Sequence, residues 1–156
     1  NERECEIVFH ASKLHDVGKI GISDEILLKS NKLTNDEMSI MKLHTIKGAN
    51  ILSGSKSEIL KCAEKIALNH HERWDGTGYP NGISGEEIDL ESRITSVCDV
   101  FDALYSQRPY KPAWDLEAVI RELNAIKGHS LDPKLTELFI EHIEEFLTIK
   151  KQIEVE

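Results

Sequence analysis

The sequence predicts an all-α domain, a helical bundle, on three observations. Apolar residues recur at spacings of three and four nearly throughout the chain, the period of a helix with one buried face. Runs of strict apolar–polar alternation, the mark of half-buried strands, are missing. Helix starts are spelled out by side chains able to accept the first free backbone N–H groups, at Thr34, Asp115 and Asp132.

A first helix is expected over residues 3–15, with Ile7, Ala11 and Leu14 on one stripe. It stops near Gly18, and Gly21 keeps the next stretch irregular. A short turn covers 24–28. Thr34 and Glu37 form a capping box that opens a helix carrying Met38, Met41, Gly48 and Leu52 inward, with His44 on the same stripe. The next helix, 57–71, turns Ile59, Ala63 and Ile66 inward, and His70 continues that stripe. A glycine-rich loop occupies 75–85. Residues 94–105 are apolar almost all round, which predicts a central, buried helix; it carries two carboxylates, Asp99 and Asp102. Arg108-Pro109-Tyr110-Lys111-Pro112 breaks it. Asp115 caps a helix with Leu116, Ile120 and Leu123 that ends at Gly128. Asp132 and Pro133 open the last helix, which carries Leu135, Leu138, His142 and Phe146. One domain is expected over 1–148, with a polar, frayed tail over 149–156.

At 156 residues the chain is long enough for one domain with a real core. Its 40% hydrophobic and 30% charged content is that of a soluble globular protein. No apolar run approaches the ~20 residues of a membrane span, so no membrane contact is expected. A formal net charge of −9 excludes general binding of a nucleic acid polymer through a basic surface. An anionic substrate would need local positive charge from metal ions or a few placed Lys and Arg. Asn1-Glu2-Arg3-Glu4 is polar, unlike a signal peptide, and the absence of an initial Met reads as a fragment or processed chain. Cys5, Cys62 and Cys98 are widely spaced, odd in number and set in apolar helical patterns. Buried free thiols in a reducing cytosol are expected rather than disulfides.

His15, Asp16, His44, His70, His71 and Asp99 are the His and Asp residues that the pattern turns inward or sets at inward-facing helix ends. Consecutive groups are separated by about one helix and its connection, so they can converge from successive helices. Four imidazoles and two carboxylates without a thiolate suit Fe, Mn or Zn rather than a Cys-rich structural zinc. Asp16 is placed to bridge two ions. A carboxylate in a helix as apolar as 94–105 is costly unless paired or metal-bound. The competing explanation for Asp99 is a salt bridge to Arg93 or Arg108, a structural part that Asp102 could take instead. Taken singly, His44 reads as an ordinary histidine; taken together, the six read as a metal site. His10, His129 and His142 fit no group. Lys19, three residues after Asp16, is either a solvated turn lysine or an ammonium that neutralises a phosphate or protonates a leaving oxygen. Arg108 and Lys111 can fork onto phosphate oxygens. Tyr79 either packs the loop or stacks on a base.

Several segments together resemble the HD-GYP domain, a subfamily of the HD superfamily of metal-dependent phosphohydrolases. They are Leu14-His15-Asp16-Val17-Gly18-Lys19-Ile20-Gly21, the lone His44, His70-His71-Glu72-Arg73-Trp74-Asp75-Gly76-Thr77-Gly78-Tyr79-Pro80, Arg93-Ile94, Asp99-Val100-Phe101-Asp102-Ala103-Leu104 and Arg108-Pro109-Tyr110-Lys111. The resemblance covers about residues 10 to 140. It implies a helical bundle with the glycine-rich loop at a centre of two or three divalent ions, iron or manganese. It implies hydrolysis of the bacterial second messenger cyclic di-GMP to linear pGpG, GMP or both, by a metal-bridged hydroxide, in the bacterial cytoplasm. His44, His70 and His71 would hold one ion and His15, Asp16 and Asp99 the other, with Asp16 bridging. Asp16 and Lys19 would be catalytic; Lys19, Tyr79, Arg108 and Lys111 would bind substrate; Glu72, Trp74 and Asp75 would support the loop. Implied partners are cyclic di-GMP, GGDEF-domain proteins at the loop, and a preceding sensory or receiver domain. In the family an earlier helix supplies a further His ligand and, in three-metal members, a Glu. This chain starts fourteen residues before His15, so a first helix or helices are expected to be lacking from 1–148. Two alternatives stay open: a catalytically weak or inactive module that docks a GGDEF protein, and a hydrolase of another cyclic dinucleotide.

Overall fold

Capping side chains set the helix starts much as the sequence implies. The computed structural model describes residues 1–107 and 113–154. Asn1 caps α1 (Glu2–Ser12), and a 3-10 turn (Val17–Gly21) leads to the short α2 (Asp24–Leu27). The Thr34–Glu37 capping box opens α3 (Asn35–Lys42), followed by α4 (His44–Leu52) and α5 (Glu58–Asn69). After the glycine-rich loop Asp89 caps α6 (Leu90–Tyr105) and Asp115 caps α7 (Leu116–Ile126). Asp132, with Pro133 in the first turn, caps α8 (Pro133–Glu141), and α9 (Ile143–Glu154) follows. The described residues contain no strand, and none of their helices is long and apolar enough to cross a membrane.

Two apolar clusters hold the helices. The first joins Ala11 of α1, Leu52 of α4 and Cys62, Ala63, Ile66 and Ala67 of α5. The second joins Val97 and Phe101 of α6 to Val119, Leu123, Phe139, Ile143 and Leu147 from the C-terminal helices and to Leu131 from the connection between α7 and α8. Between the clusters, α6 is fastened to α5 by hydroxyls: Ser92 Oγ donates to the Lys65 carbonyl at 3.2 Å and Ser96 Oγ to the His70 carbonyl at 2.6 Å. On the other side of α5, the 3-10 turn presses its backbone onto α4. A Cβ at Gly18 would fall 1.9 Å from the His44 carbonyl oxygen, so only glycine allows this approach.

The structure departs from the sequence reading at several points. The helix expected from Thr34 through Leu52 is two helices, broken at Leu43. Side chains compete for its carbonyls there: His44 Nδ1 donates to the Met41 carbonyl at 2.7 Å and Thr45 Oγ1 to that of Lys42 at 3.0 Å. Met38, placed inward on the unbroken stripe, is exposed. The last helix likewise divides, at His142, and Leu138 is exposed. The tail expected to fray at Lys150 is helical to Glu154. Helix α6 is buried at Ser92, Thr95, Val97 and Phe101 rather than all round. Leu90, Ile94 and Cys98 instead line a groove of about 930 Å³ between α1 and α6. Cys98 and Cys5 are therefore exposed, and of the three thiols Cys62 alone is buried.

Candidate metal centre

The six residues picked out by sequence come from four places in the fold. His15 and Asp16 stand on the turn after α1, His44 opens α4, and His70 and His71 follow the end of α5; Asp99 lies in the middle of α6. Helix α1 ends three residues sooner than expected, at Ser12, so the His15-Asp16 pair rides on a turn that points both side chains toward the α5 terminus. Asp16, His44, His70 and His71 each offer a ligand atom, and those atoms all lie within 4.8 Å of one another. His44 and His70 are almost fully buried, at 2% and 3% exposure.

Three of the rings are locked in one tautomer by carbonyls. His15 Nδ1 meets the Ser12 carbonyl at 2.8 Å, His44 Nδ1 that of Met41 at 2.7 Å, and His70 Nδ1 that of Ile66 at 2.9 Å. A carbonyl only accepts, so each Nδ1 carries the hydrogen and each Nε2 presents a lone pair. Those lone pairs converge. His44 Nε2 lies 3.4 Å from His70 Nε2, and Asp16 Oδ1 lies 3.4 Å from the first and 3.8 Å from the second. Oδ1 is buried with no hydrogen-bond partner. Electron pairs facing one another in a buried space need a cation among them. A proton does not serve, because burial, then the neighbouring imidazoles, push the pKa of His70 down to about 4 and that of His71 to about 3. The donor set fits a divalent metal ion.

The second Asp16 oxygen faces elsewhere. Oδ2 lies 3.3 Å from His15 Nε2 and accepts from Lys19 Nζ at 2.5 Å. Burial works to raise the Asp16 pKa, but the bonds from His15 and Lys19 overcome it and hold the carboxyl far below the usual range. The same bond raises His15. Asp99 Oδ1 stands 3.9 Å from His15 Nε2. Of the two competing partners for Asp99, Arg93 is otherwise engaged, paired with Asp132 at 2.7 Å, and Arg108 lies outside the described residues. Asp102 takes a structural part, accepting from Lys150 at 2.8 Å and Ser106 at 2.7 Å. His10, His129 and His142 are exposed and outside the cluster. Arg108 and Lys111 lie outside the described residues.

The loop after His71 is shaped by one buried carboxylate. Glu72, 3% exposed, accepts from the backbone N–H of Asn81 at 2.7 Å and of Gly82 at 3.0 Å. Gly78 passes so close that a Cβ would lie 2.3 Å from Arg73 N. Tyr79 N–H donates to the His71 carbonyl at 3.2 Å, and its ring stacks on the His71 imidazole, 4.8 Å away and tilted by 24°. Burial pushes the Tyr79 phenol up to about 12. Trp74 and Asp75 tie the loop to the α7–α8 connection through the Ser130 and His129 carbonyls. Ser96, whose hydroxyl steadies the His70 carbonyl, was missed by sequence reasoning. Its signal was its place three residues before Asp99, on the same side of one helix.

A family model described as HD domain matches residues 1–135. Among curated proteins, the 3′3′-cGAMP-specific phosphodiesterase 2 of Vibrio cholerae is 46% identical over 152 residues, 97% of this chain and 29% of that protein. The cyclic di-GMP phosphodiesterase response regulator RpfG of Xanthomonas campestris pv. campestris is 49% identical over 90% of this chain and 37% of its own. A cyclic di-GMP phosphodiesterase of Thermotoga maritima is 50% identical over 86% and 36%. The chain thus spans about a third of the length of these relatives. Its fold is shared with a cyclic GMP-AMP-specific phosphodiesterase of V. cholerae, a crystal structure superposing with a TM-score of 0.66 at 22% identity, over 92% of this chain and 39% of that one. The family match runs unbroken from α1 into α8 and takes in every residue of the cluster, so the chain belongs to the HD domain family.

Proposed function

We propose that the protein is a metal-dependent phosphodiesterase that opens cyclic di-GMP to linear pGpG, GMP or both. The observation that carries this is the buried, unpartnered Asp16 Oδ1 among convergent imidazole lone pairs. Relatives named as cyclic di-GMP phosphodiesterases support the substrate. In this reading His44, His70 and His71 would hold one ion, and His15 and Asp99 would hold a second; Asp16, whose Oδ1 faces His44 and whose Oδ2 faces His15, would be shared between them. Nitrogen and oxygen donors without sulfur suit Fe, Mn or Zn, and the resemblance to HD-GYP domains points to Fe or Mn. Divalent ions held there supply Lewis acidity and make hydroxide available at neutral pH. The protein's own groups do the rest. Lys19 neutralises a phosphate oxygen and gives its proton to the leaving 3′-oxygen. Tyr79 keeps its phenolic hydrogen at working pH and orients the substrate by donating a hydrogen bond. Arg108 and Lys111 hold the phosphate. The site of action is the bacterial cytoplasm, behind a sensory or receiver domain in the longer protein, with the loop as a docking face for GGDEF proteins.

The test is hydrolysis of cyclic di-GMP by Fe(II)- or Mn(II)-loaded protein, with Asp16→Asn as control. Turnover that disappears in the variant is expected; a metal-loaded wild type that leaves the substrate intact refutes the proposal. A second reading, 3′3′-cGAMP as substrate, is favoured by the 46% identity to a phosphodiesterase named for it. The same assay with both dinucleotides separates the two by their kcat/KM ratio.

A further inference from the structure

One cation beside the centre has no part in the chemistry above. Lys42 closes α3, in the turn whose Met41 carbonyl receives the His44 ring hydrogen and whose own carbonyl receives the Thr45 hydroxyl. Its backbone is thereby fixed to a candidate ligand two residues away. Its side chain is exposed, and the ammonium lies over the Tyr79 ring, 4.9 Å from the centroid. The same ring stacks on the His71 imidazole, so Tyr79 is the contact that Lys42 shares with a candidate ligand. Lys19, Lys29, Lys127 and Lys150 each pair with a carboxylate. Among the described residues no carboxylate pairs with Lys42. In a chain of net charge −9, an ammonium left unneutralised at the rim of the centre is a local attraction for an anion.

The position also decides which anion. Lys42 contacts the Tyr79 ring, which in turn stacks on His71, so its ammonium stands one ring removed from a group held at the imidazole nitrogens. A cyclic dinucleotide carries two phosphodiesters, and only one can be at the centre. We propose that Lys42 binds the phosphodiester that is not being cleaved, with the Tyr79 ring fixing its reach. This rests on the phosphodiesterase reading and names a substrate contact that His15, Asp16 and their partners do not provide.

Lys42→Met and Lys42→Arg test it in the 156-residue protein. Metal content is measured first and is expected to match the wild type, since Lys42 offers no ligand. For Lys42→Met, KM for cyclic di-GMP is expected to rise about tenfold, the loss of one charge-assisted contact, while kcat changes far less. Lys42→Arg restores most of the affinity. Added salt weakens binding less steeply in Lys42→Met than in wild type. Equilibrium binding of a phosphorothioate analogue of cyclic di-GMP reads recognition independently of cleavage and is expected to weaken by the same factor. Wild-type turnover or analogue binding with an unchanged KM or affinity in Lys42→Met overturns the inference and leaves the phosphodiesterase reading standing. A metal-loaded wild type that neither binds the analogue nor turns over overturns both.

Discussion

Replacing Gly18 by alanine puts the packing of the centre to a quantitative test. The added Cβ would stand 1.9 Å from the His44 carbonyl oxygen and 2.4 Å from Gly48 N, both backbone atoms that no rotamer change can remove. Reaching ordinary contact at 3.4 Å requires α4 to retreat by about 1.5 Å from the turn that carries His15 and Asp16. A site of this kind tolerates about 0.5 Å, so His44 leaves the shared position even if the fold survives. Overpacking of this severity costs about 3 kcal/mol, which for a chain of this size lowers Tm by about 6–12 °C. Gly48→Ala is the graded comparison. Its Cβ would meet Ala67 Cβ and Gly18 N at 3.2 Å, a few tenths too close, and the roughly 1 kcal/mol gained in helix propensity offsets that. Thermal melts by circular dichroism and Mn(II) affinity by chelator competition read both effects. The expectation is a large double loss for Gly18→Ala and little change for Gly48→Ala. A Gly18→Ala protein that melts within 2 °C of wild type and keeps its Mn(II) affinity refutes the reasoning.

Three further outcomes are expected. His70 has a folded-state pKa of about 4 against 6.5 for an exposed imidazole, so below pH 6.5 the unfolded chain takes a proton that the fold refuses. His70 alone thereby lowers the stability of the metal-free protein by about 3 kcal/mol across the window from 6.5 to 4, and His71, held near 3, adds to the fall. Urea titrations at pH 7 and 4.5 should show a smaller loss in His70→Asn than in wild type, the remainder coming from His71; equal losses in the two would contradict it. Glu72→Ala leaves the Asn81 and Gly82 amides without their acceptor, at about 2 kcal/mol. It should also loosen Tyr79 from His71, seen as a weaker quenching of tyrosine fluorescence by bound metal. Arg93→Met strands a buried Asp132 carboxylate and should cost about 3 kcal/mol, recovered in part by adding Asp132→Asn in a double-mutant cycle.

Which residues meet at the centre was legible because a metal site demands a few residue types at inward positions, and the helical period places them. The caps at Thr34, Asp115 and Asp132 were legible for a similar reason: each is a local bond within four residues. What failed were statements about how one helix turns against the rest. Met38 obeys the stripe of an unbroken helix, and the break at Leu43 comes from His44 and Thr45 bonding back to the preceding turn. Cys98 sits in an apolar sequence, yet the α6 face that carries it meets a groove rather than a neighbour. Apolar content alone does not say which flank of a helix is covered. Arg93 had two plausible carboxylates nearby in sequence and chose Asp132, far along the chain, a pairing that only the tertiary fold decides.

The division of the apolar interior into two clusters has a consequence for how the molecule breathes. His15, Asp16, His44, His70 and His71 belong to the block around α5, whereas Asp99 rides on α6 with the block behind it. Two hydroxyl bonds, Ser92 to Lys65 and Ser96 to His70, cross that seam. An ion held by both Asp16 and Asp99, as proposed above, would rivet one block to the other. Amide protons of α5 and α6 should then exchange with deuterium as two independent groups in the stripped protein and as a single cooperative unit once it is loaded.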